Sequence, residues 1–100
     1  MSVSDGDIAF AMELFMPLGD LTKRKMFGGL GIYHAGNIFC VVSSEGRIFL
    51  KCKGDLAQTL AADGSDQFHN MPYWSLPDAA LDDPQDASDL AHRAINGLVD

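Results

Sequence analysis

Three glycines, Gly28, Gly29 and Gly31, lie close enough together to suggest a loop that cradles phosphate. Dinucleotide and phosphate-binding loops need a strand before the glycines and a helix after them. Here the residues that follow, Leu30, Ile32 and Tyr33, have strand character. The spacing Gly31 to Gly36 also fails, because Asn37 and Ile38 stand where a phosphate-binding loop has Lys and Ser or Thr. These glycines are read as turn residues. His34, His69, His92, Cys40 and Cys52 are the remaining metal-ligand types, but no C-x-x-C, H-x-x-x-H or H-E-x-x-H spacing joins them. Cys52 sits between Lys51 and Lys53, and nearby cations lower a thiol pKa, so an exposed Cys52 would be a redox-sensitive nucleophile. There is no G-x-S-x-G or S-x-x-K signature to supply another nucleophile. No enzyme, metal or cofactor is expected.

Basic residues make the second kind of candidate. Lys23, Arg24, Lys25, Arg47, Lys51 and Lys53 fall between Thr22 and Gly54 against the single acid Glu45, a local balance of +5. The rest of the chain sets Arg93 against thirteen acids, which leaves −12 there and −7 overall. The six cations are candidate nucleic-acid contacts, with Met26, Phe27 and Tyr33 available for stacking. The plainer reading is a solvated strand whose lysines blunt an exposed edge. The acidic whole also repels polyanions at long range.

The elements that must position these residues can be read from periodicity. Ile8, Ala11, Met12 and Phe15 recur at i, i+3, i+4 and i+7 behind the N-cap candidates Ser4 and Asp5, which predicts a helix from about Asp5 to Met16. Pro17 and Gly19 end it. Glu13 is the one charge between Ile8 and Leu18, so this helix is apolar nearly all round. A small sheet cannot cover every side of it. Phe10, Leu14, Phe15 and Met16 are therefore candidates for a partner or homodimer interface.

From Thr22 the period changes to two. Glycine and Asn punctuation then predicts four antiparallel strands over 22–27, 30–34, 37–43 and 47–52. The run Ile38 to Val42 is apolar on both parities and should be central. Ile48, Leu50 and Cys52 share one face of the fourth strand, opposite Arg47, Phe49 and Lys51, so Cys52 should be buried. A short helix opens at Gly54 and Asp55, with the stripe Leu56, Ala57, Leu60 and Ala61 and a stop at Gly64. A short strand is read over Tyr73 to Ser75, ended by Pro77. The last helix has Asp83 as N-cap and Pro84 at its first position, and Ala87, Leu90, Ala91, Ala94, Ile95 and Leu98 form its buried stripe.

The expected fold class is α+β: four to five antiparallel strands packed with three helices, in the order α-β-β-β-β-α-β-α. One hundred residues with 47% hydrophobic content make a single domain over 1–100, with no second domain. No apolar run reaches the roughly 20 residues of a membrane span. With no leader and two cysteines read as free thiols, a cytoplasmic location is expected.

Specific motifs join this pattern to a family. The run Lys23-Arg24-Lys25-Met26-Phe27-Gly28-Gly29-Leu30-Gly31-Ile32-Tyr33, then Gly36-Asn37-Ile38-Phe39 and Ile48-Phe49-Leu50-Lys51, resembles the TfoX N-terminal domain family. Met71-Pro72-Tyr73-Trp74-Ser75-Leu76-Pro77 and Leu81-Asp82-Asp83-Pro84 resemble its closing segment, so the likeness covers about Ala11 to Ala94. That resemblance implies a compact α+β domain, similar to type III secretion chaperones, from a family named for bacterial regulators of competence and DNA transformation. It implies no catalytic or cofactor residues. Family members usually have a longer stretch between the segments matching Phe68 and Met71, where only His69 and Asn70 stand here, so a sheet edge is expected to be missing or rebuilt. Full-length regulators carry a further helical domain, which this chain is not expected to have. The expected function is a non-enzymatic regulatory or adaptor domain acting on an unidentified regulatory protein, with no membrane role. The alternative is a nucleic-acid-binding transcriptional regulator using the basic strands.

Overall fold

The computed structural model describes residues 2–26 and 28–98. The first helix, α1 (Asp5–Leu14), is capped by Ser4, whose Oγ accepts from the Asp7 N–H at 3.1 Å, and Asp5 and Asp7 favour the positive end of the helix dipole. It ends two residues earlier than the periodicity predicts. Pro17 has no N–H and its ring crowds the carbonyl one turn back, so the chain tightens into a 3₁₀ turn over Met16–Leu18 and leaves through Gly19 at φ +77°.

Five strands follow the expected boundaries to within a residue or so: β1 (Leu21–Met26), β2 (Gly29–His34), β3 (Asn37–Val42), β4 (Ile48–Lys51) and β5 (Tyr73–Ser75). The predicted end of β1 at Phe27 lies outside the described residues. The sheet is antiparallel with its strands in chain order, so β3 is central as its two-sided apolar run requires. A bulge between the pairs Ile32↔Cys40 and Tyr33↔Ile38 gives β3 one extra residue. Consecutive Phe39 and Cys40 are both fully buried in the main core as a result.

Between β4 and β5 lies α2 (Gly54–Ala62), closed by Gly64 at φ +98°. Leu60 is buried and Leu56 and Ala57 are half-buried, but Ala61 is exposed and leaves the expected stripe. One helix escaped the sequence pattern: α3 (Asp78–Leu81), a single turn behind Pro77 that is too short for any period to show. In α4 (Pro84–Gly97), Asp83 Oδ1 accepts from the N–H groups of Gln85 and Asp86 at 3.0 and 3.3 Å, which confirms the cap. Ala87, Ala91 and Ala94 are buried, and Leu90, Ile95 and Leu98 are half-buried.

Residues just before the short connection extend the sheet beyond β5. Ser75 N–H donates to Asp66 O at 2.8 Å, Phe68 N–H donates to Tyr73 O at 2.9 Å, and Gln67 bridges Trp74. Residues 66–68 thus lie antiparallel beside β5. Helices α1 and α4 pack on one face of the sheet, where Leu30, Ile32, Cys40, Val42, Ile48 and Leu50 form the core with Ile8, Ala11, Leu14, Phe15, Ala87 and Ala91. Ser88 Oγ donates to Leu14 O at 3.3 Å, which ties α4 to the end of α1 inside this core. A smaller cluster of Cys52, Leu60 and Ala94 seats α2.

Candidate interaction surface

The four candidate interface residues divide into two pairs. Leu14 and Phe15 are 3% and 0% exposed and belong to the core, which corrects the expectation that they are leftover surface. Phe15 meets Phe39 edge to face with ring centroids 5.2 Å apart. The period that identifies the helix already sets Phe15 on the stripe of Ile8 and Ala11, and the return of α4 over the 3₁₀ turn covers it. Phe10 and Met16 are 46% and 64% exposed and stand at the surface as expected.

Phe10 and Met16 line one cleft of about 640 Å³ together with Pro17, Leu81 and Pro84, and its charged walls are Glu13 and Asp82. Phe10 and Leu81 also line a second, larger cleft of about 820 Å³, running past Asp7, Glu45, Asp63 and Asp78 toward the start of β4. Phe10 is thus a ridge between two grooves. Leu81 and the two prolines were not among the sequence candidates. Leu81 lies in a single-turn helix that leaves no periodic trace in the sequence, and Pro17 and Pro84 read only as the end and the start of helices.

The six cations do not converge. Lys23 and Lys25 pair with Ile32 and Leu30 and so lie on the helix-covered side of β1, where they border α1 at Ile8, Ala9 and Met12. Arg24 pairs with Gly31 and points to the other side. Arg47 is held by Asp66 at 2.6 Å and its guanidinium stacks 5.5 Å from the Phe49 ring centroid. Lys51 shares the outer face with Tyr73, and Lys53 is exposed ahead of α2. Of the stacking candidates, Met26 and Tyr33 are half-buried, while Phe27 lies outside the described residues.

Cys40 and Cys52 are both free and buried. Burial pushes the Cys40 thiol well above its ordinary range and the Cys52 thiol up to about 11 from 9.0. The flanking lysines do not activate Cys52, because its side chain turns inward against Leu60 and Ala94. For Cys52 the neutral form is the one the fold stabilises, so that contribution is complete below pH 9 and is lost as pH rises through about 11. Thiol labelling of the native protein with a disulfide reagent should therefore be slow at pH 7 to 8 compared with the unfolded chain, and should accelerate across that alkaline window. Labelling of native Cys52 as fast as in denaturant would instead mark it as an accessible nucleophile.

Among the described residues no three His, Cys, Asp or Glu side chains gather as a metal site, and no helix is long and apolar enough to cross a membrane. His34 Nδ1 lies 2.7 Å from Gly19 O and so helps close the turn before β1. His69 packs against Phe68 with ring centroids 4.5 Å apart.

Comparison with protein families matches the chain to the TfoX N-terminal domain over residues 13–98. No curated protein matches the chain.

Proposed function

The chain belongs to the TfoX N-terminal domain family, and from that premise we propose that it is a regulatory adaptor that works by protein contact at the Phe10–Met16 surface and catalyses nothing itself. One observation carries this reading. Two large apolar side chains, Phe10 of α1 and Met16 of the 3₁₀ turn, remain exposed around a shared cleft, whereas Ile8, Met12 and Leu14 of α1 are at least half covered. Exposed aromatic and Met side chains beside a groove are the usual anchors of an interface core. The same reading places the domain in the cytoplasm, where its two unpaired thiols stay reduced. The nucleic-acid reading has less support, since the cations are split between two sides of the sheet and Arg47 is engaged by Asp66.

The test is to compare wild type with Phe10→Asp and Met16→Asp, each tagged and recovered from nuclease-treated lysate of its source. A stoichiometric protein partner should accompany the wild type and be lost from both variants. Their thermal midpoints should stay within a few degrees, because surface substitutions usually change stability by about 0.5 kcal/mol or less. A partner retained equally by both variants would overturn the assignment of this surface.

A further inference from the structure

We propose that the occupant of the Phe10–Met16 surface is a basic amphipathic helix of another protein, apolar on the side that meets Phe10 and Leu81 and cationic along its flanks. This inference rests on the interaction reading above and adds the chemistry of the partner. The apolar part of the surface is continuous, because Phe10 and Leu81 line both clefts and Met16 lines one of them. Its rim is predominantly acidic: Glu13 and Asp82 on one side of Phe10, and Asp7, Glu45, Asp63 and Asp78 on the other. Five of these six carboxylates are exposed and Asp7 is half-buried. Among the described residues the one cation on either cleft is Arg47, which already bonds Asp66.

Such a surface selects by charge. Phosphate-rich polymers and anionic lipid would meet six carboxylates on the walls of the two clefts and, among the described residues, no cation but the Asp66-bound Arg47. A second copy docked face to face would set Glu13 and Asp82 against acidic neighbours, so an isologous homodimer through this surface is opposed by the same field. A cationic helix gains on both counts, with apolar side chains at i, i+3, i+4 and i+7 against the ridge and Lys or Arg on either flank.

The probe is a fluorescein-labelled amphipathic peptide of Leu and Lys, about five helical turns long. Its controls are a Leu→Ser version of the same charge and a Lys→Glu version of the same apolar face. Fluorescence anisotropy reads affinity, and amide chemical shifts of the ¹⁵N-labelled protein locate the site. The expected result is binding of the Leu/Lys peptide with shifts centred on Phe10, Glu13, Met16 and Leu81. The Leu→Ser peptide and the Phe10→Ser protein should each bind at least about tenfold more weakly, the loss of one modest anchor. Glu13→Gln combined with Asp82→Asn should weaken binding and flatten its salt dependence while leaving the circular dichroism spectrum unchanged.

Equal binding of the Leu/Lys and Leu→Ser peptides would overturn the proposal, as would shifts centred elsewhere or tighter binding of the acidic peptide. Self-association lost on both Phe10→Ser and Lys23→Glu would also overturn it, by naming the basic β1 of a second copy as the occupant. The two readings fail separately. No peptide binding, with partner capture still abolished by Phe10→Asp, removes only the basic-helix chemistry. Peptide binding at the ridge, with partner capture unaffected by Phe10→Asp, removes only the proposed function.

Discussion

Phe15→Ala is expected to lower the stability of this domain by about 3–5 kcal/mol, the range for emptying a buried phenylalanine site. The ring is fully buried and closes the end of α1 against Phe39, so truncation removes an aromatic edge-to-face contact together with its share of the core. Collapse around the cavity is restricted. The 3₁₀ turn behind Phe15 is held by Leu18 N–H on Phe15 O at 3.0 Å and Gly19 N–H on Met16 O at 3.1 Å, and Ser88 bonds the carbonyl of Leu14. A domain of this length has roughly 5–15 kcal/mol in total, so the variant should be marginal, with a thermal midpoint lower by roughly 15 °C or more. Phe10→Ala, five residues earlier and within α1, should change stability by less than about 1 kcal/mol, because its ring is about half exposed. Urea unfolding of the two variants side by side checks the pair. Equal losses would contradict the division of these phenylalanines between core and surface.

The second large effect is expected at Gly29. A Cβ built there would fall on the carbonyl oxygen of Val42, which belongs to the backbone of the neighbouring strand and cannot move without shifting β3. Gly29→Ala should therefore cost about 1–3 kcal/mol or more, as overpacking does, despite the entropy that alanine removes from the unfolded chain. Gly31→Ala is the instructive contrast. Its Cβ would meet the Met26 Cε at 2.7 Å and the Ile38 Cδ1 at 3.1 Å, both ends of side chains, and an unbranched methionine can swing aside. Gly31→Ala should thus be clearly milder than Gly29→Ala in the same urea titration. The reverse order would mean that the approach of β2 to β3 is looser than the strand register shows.

These two glycines also explain part of the motif that marks the family. In Lys23-Arg24-Lys25-Met26-Phe27-Gly28-Gly29-Leu30-Gly31, the glycines serve backbone packing rather than phosphate binding. Gly28 takes φ +79°, a left-handed conformation costly for other residues, at the tight turn joining β1 to β2. Gly29 and Gly31 admit, respectively, a carbonyl and a methionine tip.

Much of the domain was determined by the sequence alone, wherever the cause is local. The strands announce themselves by alternation and by glycine turns, α4 by Asp83 and Pro84, and β3 as central by its two apolar faces. The inward aim of Cys52 follows from its parity with Ile48 and Leu50. The separation of Arg24 from Lys23 and Lys25 likewise follows from the pleat.

Tertiary structure decided what depends on neighbours distant in sequence. Leu14 and Phe15 are core, and Phe10 and Met16 surface, because α4 and the 3₁₀ turn cover one side of α1 and leave the other to the clefts. The stripe of Ile8 and Ala11 already marks the side of Phe15, whereas nothing local in this apolar helix marks Leu14 as covered and Phe10 as exposed. The consecutive burial of Phe39 and Cys40 needs a bulge whose partner lies on another strand, and the edge at 66–68 exists only because β5 offers it hydrogen bonds. Leu81 and the carboxylates around Phe10 come from α1, the β3–β4 turn and the segments on either side of β5, so the acidic rim forms only when those segments meet. Period and capping act over a few residues and are written locally, whereas burial and the sign of a surface are sums over everything that packs nearby.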